Sequence, residues 1–354
     1  MTPGMFYGLT GQQGVKDKLS GLIRRGTPGH AHLFTGPEGM GKRSFAKAFA
    51  KALLCIGGDD GTARQGGGEN ARQGGGLLPC GKCLPCRLMN TGALDDYFTV
   101  EPSGQGQKPV IPVDAIRGIT DWMVIRPLYS RRKTCIIAQA DRMTEQAQNA
   151  LLKTLEEPPD YGIIILTASN PENLLETVRS RCVVTRFSAY SGEEMRHILE
   201  NSGEVAAGAD IGLYTRISGL NPGYAIELAG SGAFLSERDE LLGLFCEFLN
   251  GRPDSFFLLS SFLIKNKDSF RQYAGVLIRW LHDIWRSSLD GAYEAANGDM
   301  ARRIDAFYGR FPQEGLLDCI CDIDEACEAV TYNANFSLAV NVTLFRIINL
   351  LCIK

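Results

Sequence analysis

The pattern of apolar and polar positions changes character about halfway along the chain. In the first half, short apolar runs alternate with stretches in which apolar residues recur every three or four positions, as in a parallel sheet covered by helices on both faces. Ala31 to Thr35 reads as a strand, and Phe45, Ala48, Phe49, Ala52 and Leu53 follow it at helical spacing. Thr134 to Ile137 and Ile163 to Thr167 read as two further buried strands. Between them lies a helix over Glu145 to Glu156, with Ala147, Ala150, Leu151 and Leu155 on one side. Pro158 and Pro159 halt that helix, because neither has a backbone N–H to give it. A last strand covers Cys182 to Phe187, and the strand pattern ends there.

Three regions follow from this change. Residues 1–188 form an α/β domain, 189–235 a small helical unit, and 236–354 an all-helical region rich in Leu, Phe, Ile and Trp. The runs Phe256 to Leu259 and Val340 to Phe345 are too apolar for a solvated helix surface. The favoured expectation is that they form the helical domain's own core, with contacts between subunits as the alternative. From Gly57 to Gly76 a glycine-rich near-repeat predicts a flexible surface loop.

Bulk properties narrow the functional classes. A chain of 354 residues exceeds one typical core. A formal net charge of -3 argues against coating DNA through bulk electrostatics. No apolar run is long enough to span a bilayer, and Met1-Thr2-Pro3-Gly4 does not resemble a secretory signal, so a soluble, cytoplasmic protein is expected. In that compartment the eleven cysteines point to metal binding or buried packing rather than disulfides.

Gly36-Pro37-Glu38-Gly39-Met40-Gly41-Lys42 spells a glycine-rich phosphate loop between a strand and a helix. Such a loop aims backbone N–H groups and a helix amino terminus at phosphates while its lysine supplies a charge, so Gly36, Gly39, Gly41 and Lys42 are compatible with bound ADP or ATP. Hydrolysis also needs magnesium, held by a hydroxyl and a carboxylate. Here Arg43 stands where the hydroxyl belongs, and Ala138-Gln139 where the acidic pair belongs. Ser44 lies one residue late on the helix, and Asp141 three residues beyond the ligand position.

Cys80, Cys83 and Cys86 are spaced to wrap one ion, and Cys55 at the end of the phosphate-loop helix is the natural fourth ligand. Four thiolates favour a closed, structural tetrahedral zinc, although an iron–sulfur cluster uses the same donors. Cys135 and Cys182 read as buried packing, as do Cys319, Cys321 and Cys327. His30 and His32 read as satisfied structural residues on one strand face.

Four stretches, taken together, resemble the delta-prime family of bacterial DNA polymerase III clamp-loader subunits, AAA+ proteins of the assembly that opens the sliding clamp. They are His30 to Phe34 with the phosphate loop, the Cys80–Cys86 knuckle, Asn149-Ala150-Leu151-Leu152-Lys153-Thr154-Leu155-Glu156-Glu157-Pro158-Pro159, and Ser180-Arg181-Cys182. The resemblance implies an AAA+ fold with a zinc module at 55–86, a helical lid and a carboxy-terminal oligomerisation collar. It implies that Arg181 acts in trans as an arginine finger on the ATP of a neighbouring subunit, and that Ser169 is a polar sensor of the phosphate. It places Tyr224 where active members carry a lid arginine, and it favours zinc over iron–sulfur. The partners implied are tau/gamma and delta subunits, with the sliding clamp and primed DNA reached through the complex. An ATP-hydrolysing tau/gamma-like motor is the competing expectation, and a DNA-binding module built on the knuckle with Arg64, Arg72, Lys82 and Arg87 ranks last.

Overall fold

The computed structural model describes residues 5–6, 8–57, 79–104, 109–205, 209–290, 293–331 and 334–353. The glycine-rich loop expected over Gly57 to Gly76 lies, apart from Gly57, outside the described residues. The chain forms two compact units, Met1–Tyr190 and Ser191–Lys354.

The first unit carries parallel strands β1 (Ala31–Thr35), β2 (Tyr97–Val100), β3 (Lys133–Ile137), β4 (Gly162–Ala168) and β5 (Val183–Arg186), in the spatial order β2-β3-β4-β1-β5. Its helices are α1 (Gln13–Arg25), α2 (Lys42–Leu54), α3 (Leu84–Thr91), α4 (Val113–Val124), α5 (Glu145–Glu156) and α6 (Glu176–Arg179). Every residue of β1, β3 and β4 is buried, which is why these strands read as continuous runs rather than alternating ones. In register, Thr35 lies beside Ala168 and Arg186, and Ile137 beside Leu166 and Val100. The loops after β1, β3 and β4 therefore open at one edge of the sheet, where ligands of open α/β folds bind. On the faces, Phe45 and Phe49 of α2 and Leu151 and Leu155 of α5 are buried, each contributing about 2–3 kcal/mol of transfer free energy.

The second unit is helical: α7 (Gly192–Ser202), α8 (Ile211–Ile217), α9 (Pro222–Gly230), α10 (Phe234–Leu249), α11 (Ser255–Lys265), α12 (Phe270–Leu289), α13 (Ala301–Asp305), α14 (Gln313–Thr331) and α15 (Phe336–Leu350). A reciprocal capping box between Ser191 and Glu194 starts α7. Fully buried Arg238 on α10 pairs with both carboxylate oxygens of Asp299 at 2.8 Å, and buried Asp283 accepts from the backbone of Ala296 and Asn297, so the irregular segment before α13 is tied down. The two apolar runs are only half core. Leu259, Val340 and Leu344 are buried, but Phe257 and Phe345 are 70% and 62% exposed. A helix turns about 100° per residue, so four consecutive apolar side chains cannot share one face.

His32 departs from its expected satisfied role. His30 precedes β1 and is exposed, whereas His32 is fully buried against Phe49, with ring centroids 5.1 Å apart. Neither His32 ring nitrogen has a partner of normal hydrogen-bond geometry. Burial lowers its pKa from 6.5 to about 4, and the nearby Pro28 carbonyl only partly offsets this. A base with a depressed folded pKa contributes stability above its unfolded pKa and loses it as pH falls toward the folded one. Lowering pH from 7 to 5 is expected to remove about 2 kcal/mol of stability through this group. Urea denaturation of wild type and His32→Phe at both pH values checks it: the extra acid loss should be confined to wild type, and equal losses contradict it.

Candidate functional site

The phosphate loop leaves β1 through Gly36, whose φ is 144°. A Cβ there would lie 2.7 Å from the Phe187 carbonyl oxygen, so only glycine fits. Gly41, at φ 79°, is the N-cap of α2 and offers no capping side chain. With Gly39 also at positive φ, the strand–loop–helix geometry expected from the motif is present.

Lys42 is 8% exposed and folds back onto the loop. Its Nζ donates to the carbonyls of Gly36 and Pro37, the latter at 2.6 Å, and to Ser169 Oγ at 3.1 Å. Burial lowers its pKa, while Asp141 and Glu38 act in the opposite direction. Ser169 thus lies at the loop lysine.

The magnesium positions are taken up by other contacts. Arg43 makes an ion pair with Glu101, just past β2. The buried Ala138 gives its N–H to the Val100 carbonyl at 2.9 Å and has no side-chain donor atom. Gln139, at φ 51°, donates from its backbone to Thr167 Oγ1 and from its side chain to Glu38 Oε1 at 3.1 Å. Asp141 accepts from the backbone N–H groups of Ser169 and Asn170, fixing the turn that carries Ser169, and Ser44 is exposed. Neither residue therefore restores the missing pair. Glu38, Glu101 and Asp141 as partners of loop residues were not legible beforehand, because they come from three separate loops. Beside the loop, Phe45 packs on Phe6 and Phe187 with centroids 5.3 Å apart, and Tyr190 Oη donates to the Met40 carbonyl at 3.2 Å.

Arg181 lies two residues after α6 and just before β5. Its Nη1 donates to the Thr177 carbonyl at 2.8 Å and its Nη2 to Glu156 Oε1 at 2.6 Å. Its side chain remains 35% exposed. Arg179 pairs instead with Glu172 at 2.7 Å. The motif ending at Pro159 and the motif containing Arg181 thus meet through one ion pair.

The sulfurs of Cys55, Cys80, Cys83 and Cys86 all lie within 4.8 Å of one another. Cys55 follows α2, Cys83 caps α3, and Cys86 sits in its first turn. The Cys55–Cys83 separation is 3.9 Å, close to the edge of about 3.8 Å for a tetrahedron with ~2.3 Å zinc–sulfur bonds. Backbone N–H groups point at the sulfurs, from Cys80 to Cys55 at 3.4 Å and from Cys83 to Cys80 at 3.3 Å. Hydrogen bonds from Cys55 and Cys86 hold the Cys83 thiol far below its ordinary pKa, while Cys55 is pushed up by its contact with Cys83 and Cys86 by its contacts with Cys55 and then Cys83. Four sulfurs this close can all be thiolates only around a cation, and their convergence gives a donor set that fits a structural metal. Of the other cysteines, Cys135 and Cys319 are buried, Cys182 is half-buried just before β5, and Cys321 is exposed. In the second unit, Tyr224 on α9 carries the Arg279 guanidinium over its ring at 5.2 Å. Among the described residues no helix is long and apolar enough to cross a membrane.

Comparison with known proteins relates the chain to DNA polymerase III subunits. The family profile described as "DNA polymerase III, delta subunit" matches residues 11–191. The delta-prime subunit of Pseudomonas aeruginosa DNA polymerase III is 36% identical over 172 residues, which is 49% of this chain and 46% of that protein. The tau subunit from Bacillus subtilis is 31% identical over 253 residues, covering 68% of this chain and 40% of its own length. The chain thus spans less than half the length of these curated relatives. A solved DNA polymerase III gamma subunit-related protein of Thermotoga maritima aligns with 94% of this chain and 98% of its own, at 17% identity and a TM-score of 0.46. A five-stranded parallel sheet carrying a phosphate loop and a profile match that spans every strand of it lead to one assignment: the chain belongs to the DNA polymerase III delta-subunit family.

Proposed function

We propose that this chain is a non-hydrolysing clamp-loader subunit that lends Arg181 to the ATP of an adjoining subunit during loading of a sliding clamp onto primed DNA. One observation carries the reading. The position that would hold magnesium is committed to the Arg43–Glu101 ion pair, while Arg181 stands partly exposed on two anchors. Phosphoryl transfer needs positive charge at the transferring group, supplied by metal in the chain that binds ATP and by a guanidinium that can come from another chain. This chain retains the second device and lacks the ligands for the first.

The partners are the tau/gamma ATPase subunits and a delta subunit. Cys55, Cys80, Cys83 and Cys86 hold a zinc ion that folds the α2–α3 module and takes no part in catalysis. Gly36, Gly39, Gly41, Lys42 and Ser169 form a degenerate nucleotide site in which ADP or ATP binds without being cleaved. Residues 189–235 serve as the lid and 236–354 as the oligomerisation collar, and the protein works in the cytoplasm. Reconstitution tests the reading. ATP turnover by tau/gamma with delta, clamp and primed DNA should rise on adding this chain and should not rise with Arg181→Ala; equal stimulation by both proteins rejects it.

A further inference from the structure

We propose that Glu156 is a positioning residue for the arginine finger. The inference rests on the reading of Arg181 above and extends it to a second side chain, at the carboxyl end of a different helix. Arg181 is anchored twice, by the Thr177 carbonyl on Nη1 at 2.8 Å and by Glu156 Oε1 on Nη2 at 2.6 Å. The first anchor belongs to the turn on which the arginine sits, only four residues away, and it moves with that turn. The second comes from α5, twenty-five residues away in sequence, and ties the guanidinium to a rigid part of the domain.

The geometry of α5 makes Glu156 suited to this. Leu151 and Leu155 are buried in the sheet's covering layer, and Thr144 caps the helix start by accepting from Ala147, so its far end is fixed. Glu156 is the last residue of that helix, and the chain then runs into Pro158-Pro159, which cannot prolong it. Its side chain is 49% exposed, so the pair stays hydrated and contributes little to folding. What it restricts is the freedom of a long, many-rotamer side chain. Arginine has five N–H donors, of which these contacts use two, leaving the others for phosphate oxygens. An arginine held in advance loses less freedom on meeting a triphosphate, and small displacements of a catalytic group lower rates steeply. Neighbouring Arg179 does not share this anchor, since its carboxylate partner is Glu172, seven residues earlier in the segment between β4 and α6.

The test uses the reconstituted complex with primed DNA and clamp, and compares Glu156→Ala, Glu156→Gln, Arg181→Ala and the double variant Glu156→Ala/Arg181→Ala. Glu156→Ala should lower kcat for ATP on the order of tenfold with little change in KM, because the finger acts in the transition state. Glu156→Gln, which keeps an oxygen acceptor, should recover most of that loss. The double variant should be no worse than Arg181→Ala alone, since a residue that works only through Arg181 has nothing left to position. An unchanged or raised kcat in Glu156→Ala overturns the proposal, as does a double variant in which the two losses multiply. If Arg181→Ala itself has no effect, the finger reading fails and this inference fails with it. Loss in Arg181→Ala with full activity in Glu156→Ala rejects the positioning role alone.

Discussion

Replacing Arg181 by Ala in the assembled loader is expected to lower ATP turnover at the adjoining site by roughly three to five powers of ten, the range measured for trans-acting arginines. The effect is large because charge spreads over the transferring phosphoryl group in a site shielded from water, where a fixed guanidinium is far more effective than a solvated ion. Arg181→Lys should recover little, since an ammonium keeps the charge but cannot offer two parallel N–H groups to the phosphate. Folding of the chain itself should hardly change: the Arg181–Glu156 pair is substantially exposed on both sides, and such pairs contribute about 0–1 kcal/mol. A thermal melt of the isolated variant within a degree or two of wild type, alongside the lost turnover, separates a catalytic defect from a folding defect. Turnover within a factor of two of wild type contradicts the assignment.

Cys86→Ser is expected to abolish metal retention. Cys86 is almost completely buried in the first turn of α3, and its sulfur is one of four that converge within 4.8 Å. Structural zinc sites hold their fold with apparent binding free energies of about 10–16 kcal/mol in small peptides, so the module around Cys80 to Thr91 should lose its structure without the ion. The damage should stay local, because one face of the sheet forms an apolar cluster with α4 and α5 that includes none of the four cysteines. Elemental analysis should find one zinc per wild-type chain and none in Cys86→Ser, and a strong chelator should raise proteolysis near α3 in wild type only. Acid should release the metal too, because the thiolates take up protons. Wild-type protein that purifies without metal and is indifferent to chelator contradicts the zinc assignment.

Much of the first unit was readable because its chemistry is local. β1, β3, β4 and α5 are buried runs or one-sided helices bounded by glycine or proline, and their periodicity alone places them. Helices α1 and α4 and strand β2 were not singled out. β2 is a four-residue edge strand whose burial changes from residue to residue, so it carries no continuous apolar run. The phosphate loop and the cysteine set were legible for a related reason: each depends on spacing within one segment, with Cys55 alone joined across the insert. What pattern could not give was partnership between distant residues. Arg43 with Glu101, Gln139 with Glu38 and Arg181 with Glu156 are pairs that exist only once the sheet order is set. Burial of His32 without a partner of normal hydrogen-bond geometry, and the outward-facing Phe257 and Phe345, likewise depend on packing that a one-dimensional pattern does not specify.

The most direct test of the central claim is ATP hydrolysis by the purified chain alone, with magnesium, in the presence and absence of primed DNA, alongside Lys42→Ala. With Arg43 tied to Glu101 and Ala138 and Gln139 in place of the acidic pair, wild type and Lys42→Ala should both remain at background. Sustained multiple turnover by the wild-type chain that disappears in Lys42→Ala would show that this loop cleaves its own triphosphate, and would contradict the account.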